Sequence, residues 1–102
     1  MKIYISLDLE GQGNIVSWKE EAAHREEVRN LLTQEANAVI KGIYDSGQKI
    51  EMVAISDSHD SCLNIITQKL DPRAHVVKGT LRSLSMMEGI DNSFDRAFLL
   101  GY

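Results

Sequence analysis

A chain of 102 residues, 43% hydrophobic and 25% charged, fits one soluble globular domain and leaves little room for a second. Its net charge of -4, with no Lys/Arg cluster, argues against nucleic acid or an anionic membrane surface as a partner and suits a protein that holds a cation. The one cysteine, Cys62, excludes an internal disulfide and a cysteine-based zinc site, which points to a reducing compartment.

At the N-terminus, Ile3, Ile5 and Leu7 alternate with Lys2, Tyr4 and Ser6, and both sets are fairly apolar. That pattern predicts a strand over residues 2–7 that is covered on both faces. The run turns acidic at Asp8, too soon for a signal peptide or a membrane span, so the expected location is cytoplasmic. Gly11-Gln12-Gly13 then breaks the strand. Ser17 and Glu20 have the spacing of a helix-capping box, and Val28, Leu31, Leu32, Ala36, Val39, Ile40 and Ile43 recur at helical intervals until Asp45-Ser46-Gly47. One helix over all of that stretch would run roughly 45 Å at 1.5 Å per residue, so a break is expected before about Arg25. Residues 50–56 read as a second strand, 62–70 as a short helix stopped by Pro72, and 75–78 as a third strand. A helical turn is expected over 83–89 and a fourth strand over 96–100. This rhythm predicts a single α/β unit over residues 1–102, with a mostly parallel sheet of about four strands and helices on its faces.

In open parallel sheets, ligands gather at the carboxyl ends of the strands. The first strand runs out into Asp8-Leu9-Glu10-Gly11 and the second into Ser56-Asp57-Ser58-His59-Asp60. Residues two apart in extended chain point the same way, so Asp8 and Glu10 can reach one ion, and Gly11 allows a sharp turn just after them. With His59 from the neighbouring strand, the set of two carboxylates and an imidazole suits zinc better than magnesium or calcium. Asp57 is placed either to orient the His59 ring from behind or to cap the following helix. His24 and His75 read as structural, Met86 and Met87 as core filler, and Cys62 as a small buried hydrophobe.

Leu7-Asp8-Leu9-Glu10-Gly11, Thr33-Gln34-Glu35-Ala36-Asn37, the stretch Ser56 to Ile65, Ser85 to Asp91, and Phe98 to Tyr102 follow one another in the order and spacing of a known family. Across its whole length the chain resembles the zinc-dependent D-aminopeptidases. The resemblance implies that Asp8 bridges two zinc ions and that Glu10 and His59 complete the protein ligands of one of them. It also implies removal of N-terminal, often D-, residues from short peptides by zinc-activated water, in a ring-shaped homo-oligomer. Family members continue past the Gly-Tyr with a histidine and a glutamate for the second ion and a further active-site histidine. Asp8, Glu10 and His59 alone are therefore expected to hold at most one ion, and this chain is expected to be a fragment, a truncated product or a degenerate relative with weak metal binding and little peptidase activity.

Two other readings compete. A magnesium-dependent phosphatase of the haloacid-dehalogenase type would use Asp8, Glu10, Ser56 and the pair Asp91 and Asp95. It leaves His59 without a role, and Glu10 is a methylene longer than the usual aspartate. A non-catalytic remnant or assembly module would keep the fold and bind no zinc.

Overall fold

In the computed structural model, which describes residues 1–102, all strands run parallel in one sheet. They are β1 (Lys2–Leu7), β2 (Met52–Asp57), β3 (Ala74–Val77) and β4 (Arg96–Leu100), in the order β3-β2-β1-β4. This is the parallel α/β architecture that the sequence predicts. The two central strands are buried along almost their whole length. On one face Ile3, Ile5, Leu7, Val53 and Ile55 join Val28, Leu32, Ala36, Ile40 and Ile43 of the long helix in a continuous apolar core. Each buried Val, Leu or Ile contributes about 1.5–3 kcal/mol, so this face carries most of the folding energy.

The helical stretch is divided as expected. α1 (Trp18–Ala23) and α2 (Arg25–Asp45) meet at His24, whose backbone (φ -132, ψ 41) is not helical. Ser17 caps α1 by accepting from the Glu20 amide at 3.3 Å, while the Glu20 carboxylate accepts from the Val16 amide at 3.0 Å. Both ends of the capping box are thus used, the second one residue earlier than the usual pattern. α1 buries no side chain. No helix of the chain is long and apolar enough to cross a membrane.

The helix expected over 62–70 does not form; only Thr67–Lys69 makes a single 3-10 turn. Its backbone groups are taken by side chains instead. Asp57 accepts from the amides of Asn64 and Ile65, Arg29 donates to the Asn64 carbonyl, and Thr33 Oγ1 accepts from the Ile66 amide. Asn37 donates to the Lys69 carbonyl and accepts from the Asp71 amide. Once these groups are paired across the fold, the i to i-4 ladder of a helix has nothing left to offer them.

The second face of the sheet is covered by irregular chain from residue 79 to 94, in which only Ser85–Met87 makes a 3-10 turn. It is held by polar contacts: Tyr4 Oη donates to the Glu88 carbonyl at 2.8 Å, and Ser6 Oγ donates to the Met86 carbonyl at 2.7 Å. Phe94 packs edge-on against Tyr4. Met86 and Met87 are half-buried, so their backbone matters here more than the core filling that their side chains suggest.

Candidate metal centre

Pairing of β1 with β2 sets Leu7 beside Asp57, so both strands release the chain at the same level. The Ser58 amide donates back to the Leu7 carbonyl at 2.9 Å and holds the two exits together. On the other side, the Asp8 amide donates to Leu100 at 2.8 Å and the Gly11 amide to Gly101 at 2.7 Å. This close approach needs two glycines. A Cβ on Gly11 would lie 2.4 Å from the Tyr102 carbonyl oxygen, and one on Gly101, whose φ is +74, would lie 2.2 Å from that of Asp8. Gly11 thus lies in the sharp turn expected after the ligands, closed by the Gln12 amide on the Leu9 carbonyl at 3.0 Å, and its missing Cβ also makes room for the backbone contact.

The loop after β2 is contorted, with Asp60 (φ 46) and Cys62 (φ 57) both left-handed. Such residues cost roughly 1–2 kcal/mol each and persist only where the surroundings force them. Asp57 supplies the constraint. Fully buried, it accepts from the Asn64 amide at 2.6 Å, the Ile65 amide at 2.7 Å and Asn64 Nδ2 at 2.9 Å. Asn64 Nδ2 also donates to the His59 carbonyl at 2.7 Å. Asp57 thus acts on the backbone of His59 through Asn64, and neither ring nitrogen of His59 is bonded to it. Cys62 is buried among these groups, and burial pushes its thiol above the ordinary range.

This loop places the His59 ring over the end of β1. Nδ1 lies 3.1 Å from Asp8 Oδ1 and 3.2 Å from Glu10 Oε2, while Nε2 lies 2.9 Å from Glu21 Oε2. Trp18 Nε1 donates to Glu10 Oε1. These groups line an open cavity of about 620 Å³, with Met86 on its wall and Asp60 on its rim. His24 and His75 are exposed outside it. Neither Glu21 nor Trp18 stands out in the sequence. They lie on α1, whose polar composition reads as a weak helix start, and only the cap at Ser17 hints that they share a face one turn apart.

The electrostatics are those of a cation site. Burial pulls the His59 pKa down, but Glu21, then Glu10 and Asp8, outweigh it and raise the value above that of a free histidine. Glu10 is also pushed upward by burial, yet the Trp18 N–H and His59 hold it below the ordinary carboxylate range. One donor atom each from Asp8, Glu10 and His59 lie within 4.8 Å of one another. The edge of a tetrahedron with metal–ligand bonds of about 2.1 Å is about 3.4 Å, close to the separations at Nδ1, so the donor set and its spacing fit zinc.

The sequence profile described as D-aminopeptidase matches residues 1–102. The chain belongs to the D-aminopeptidase family. A D-aminopeptidase of Bacillus subtilis (strain 168) is 34% identical over 105 residues, covering 100% of this chain and 38% of the relative. The solved structure of a Zn-dependent D-aminopeptidase from the same organism, described as a self-compartmentalizing protease, superposes with a TM-score of 0.93 at 34% identity. It too is matched over 100% of this chain and 38% of its own, so the chain spans well under half the length of these D-aminopeptidases.

The phosphatase reading is not favoured. Asp95 accepts from the Lys2 amide at 2.7 Å, at the opening of β1, whereas Asp8 follows its end. A six-residue strand puts about 20 Å between those levels, so Asp95 and Asp8 cannot share a magnesium ion. Asp91 accepts from the Ser93 amide in the same exposed turn, and Ser56 Oγ is buried against Arg82.

Proposed function

We propose that this chain carries one zinc-binding half of a D-aminopeptidase active site, serving the removal of N-terminal, often D-, residues from short peptides. The observation that carries the proposal is the convergence of Asp8, Glu10 and the Nδ1 of His59 on one point in an open cavity. When bound, zinc supplies Lewis acidity toward a peptide carbonyl and toward water. Three protein donors are the number that catalytic zinc sites use, which leaves room for a further ligand. Asp8 and Glu10 neutralise the ion from one loop, His59 closes the set from the next, and Trp18 restrains the free oxygen of Glu10. A second ion needs donors beyond these three, so the 102-residue chain is expected to bind one zinc and to show little turnover. The structural relative's description as self-compartmentalizing supports a homo-oligomeric assembly for the active form; the lone Cys62, kept as a free buried thiol, supports a reducing, cytoplasmic location.

The test is a zinc titration of the chain followed by calorimetry, alongside Asp8→Ala and His59→Ala. One ion per chain is expected for the parent and a loss of binding of at least tenfold in each variant. A folded chain that takes up no zinc would sink the metal reading and favour a non-catalytic module. Hydrolysis of D-alanyl dipeptides with added zinc, read with size-exclusion mass, then reports whether this portion acts and assembles by itself.

A further inference from the structure

The second nitrogen of His59 faces away from Asp8 and Glu10, into Glu21. We propose that Glu21 is a positioning residue: it accepts the Nε2–H of His59 at 2.9 Å and so turns the bare Nδ1 toward Asp8 and Glu10. Its purpose rests on the zinc reading given above.

A neutral imidazole has one N–H and one lone pair, and an ionised carboxylate can only accept. Whichever nitrogen faces a carboxylate at hydrogen-bond distance must carry a proton or meet a cation. Both nitrogens of His59 face carboxylates. With a cation among Asp8, Glu10 and Nδ1, the remaining proton has one place left, on Nε2, and Glu21 is there to receive it. A ring held by its far nitrogen is also held in rotation about its long axis, and a charged acceptor raises the basicity of the nitrogen opposite.

Glu21 is itself fixed for this role. Its Oε2 takes the His59 bond while Oε1 accepts from Arg25 Nη1 at 3.1 Å, and its side chain is only 12% exposed although α1 buries nothing in the core. One turn earlier on the same helix, Trp18 holds Glu10. A six-residue helix with no apolar anchor thus presents two side chains to two of the three proposed ligands. Core packing does not account for its placement, whereas support of the site does.

The experiment uses the intact chain labelled with ¹⁵N-histidine, compared with Glu21→Ala and Glu21→Gln, each checked for folding by circular dichroism. In the parent an exchange-protected, downfield Nε2–H signal of His59 is expected with and without zinc. Glu21→Ala should abolish it and weaken zinc binding by about 10–100-fold, the usual effect of removing such a support. Glu21→Gln, which keeps an acceptor oxygen without the charge, should recover part of both. If Glu21→Ala retains either the signal or the parent's zinc affinity, the proposal is overturned. If the parent binds no zinc, the zinc reading falls, and the Nε2–H signal alone decides whether Glu21 holds the ring.

Discussion

Replacing Asp57 by alanine is expected to damage the fold more than removing any of the proposed ligands. The carboxylate is fully buried and accepts three hydrogen bonds, two of them from backbone amides of Asn64 and Ile65. Bonds to a charged acceptor contribute about 1.5–3 kcal/mol each, and a buried donor left alone costs about 1–3 kcal/mol. The three share one acceptor and do not add fully, so the expected loss is about 3–5 kcal/mol. Domains of this size have about 5–15 kcal/mol in all, so the loss takes a large share of the total. Asp57→Asn keeps one acceptor oxygen but turns an NH2 toward an amide donor, and should lose roughly half as much.

Urea denaturation followed by circular dichroism gives the comparison, with equal m-values showing that the same surface unfolds. His59→Ala in the metal-free chain is the control, because its ring faces the cavity and not the core. A loss of less than about 1 kcal/mol for Asp57→Ala would refute the reasoning, since it would mean that water satisfies the loop amides as well as the carboxylate does.

Gly101→Ala should destabilise by at least about 1 kcal/mol from the left-handed backbone alone, and more from the approach to the Asp8 carbonyl, with a parallel loss of zinc affinity measured by competition with a chelator. Unchanged affinity would show that the Asp8 loop does not depend on the end of β4. Asp71 is held at about 2 by the Arg73 guanidinium and amide, against 3.8 in the unfolded chain. Its contribution is therefore present above 3.8 and lost as pH falls toward 2, and Asp71→Asn should flatten the acid limb of the stability curve over that window. The effect will be small because Arg73 is solvent-exposed. Trp18, the one tryptophan in the chain, touches Glu10, so its emission should change on zinc addition and saturate at one ion per chain. Zinc uptake with constant emission would exclude Glu10 as a ligand.

The residues that could be placed from sequence are those whose position follows from strand period and strand end. Asp8, Glu10 and His59 are legible because apolar runs deliver them to adjacent carboxyl ends, and the parallel register does the rest. Glu21 is not legible. In Lys19-Glu20-Glu21 and Arg25-Glu26-Glu27 nothing local separates the glutamate that enters the cavity from those that face water or cap the helix. The segment 62–70 misleads for a related reason. Its composition permits a helix, but Arg29, Thr33 and Asn37 of α2 claim its backbone from across the fold. Thr33 and Asn37 belong to the stretch that carries the family resemblance, and their bonds show what they do there.

The same geometry separates the groups that hold the fold from the groups that would hold the ion. Asp57 and Asn64 point inward and spend their hydrogen bonds on the loop, whereas Asp8, Glu10 and Glu21 turn their charge onto a single ring. Three carboxylates around one imidazole leave net negative charge even when the ring is protonated. In the metal-free chain the protonated ring and the Trp18 N–H offset part of that charge, in line with the raised His59 and lowered Glu10 pKa values, and a divalent ion would offset more of it. These charges sit on loops and on a helix without core contacts, while the sheet and α2 supply the apolar burial. Removing a ligand carboxylate therefore disables the centre while leaving the sheet and α2 in place, whereas removing Asp57 leaves every donor present and takes away the loop that aims His59.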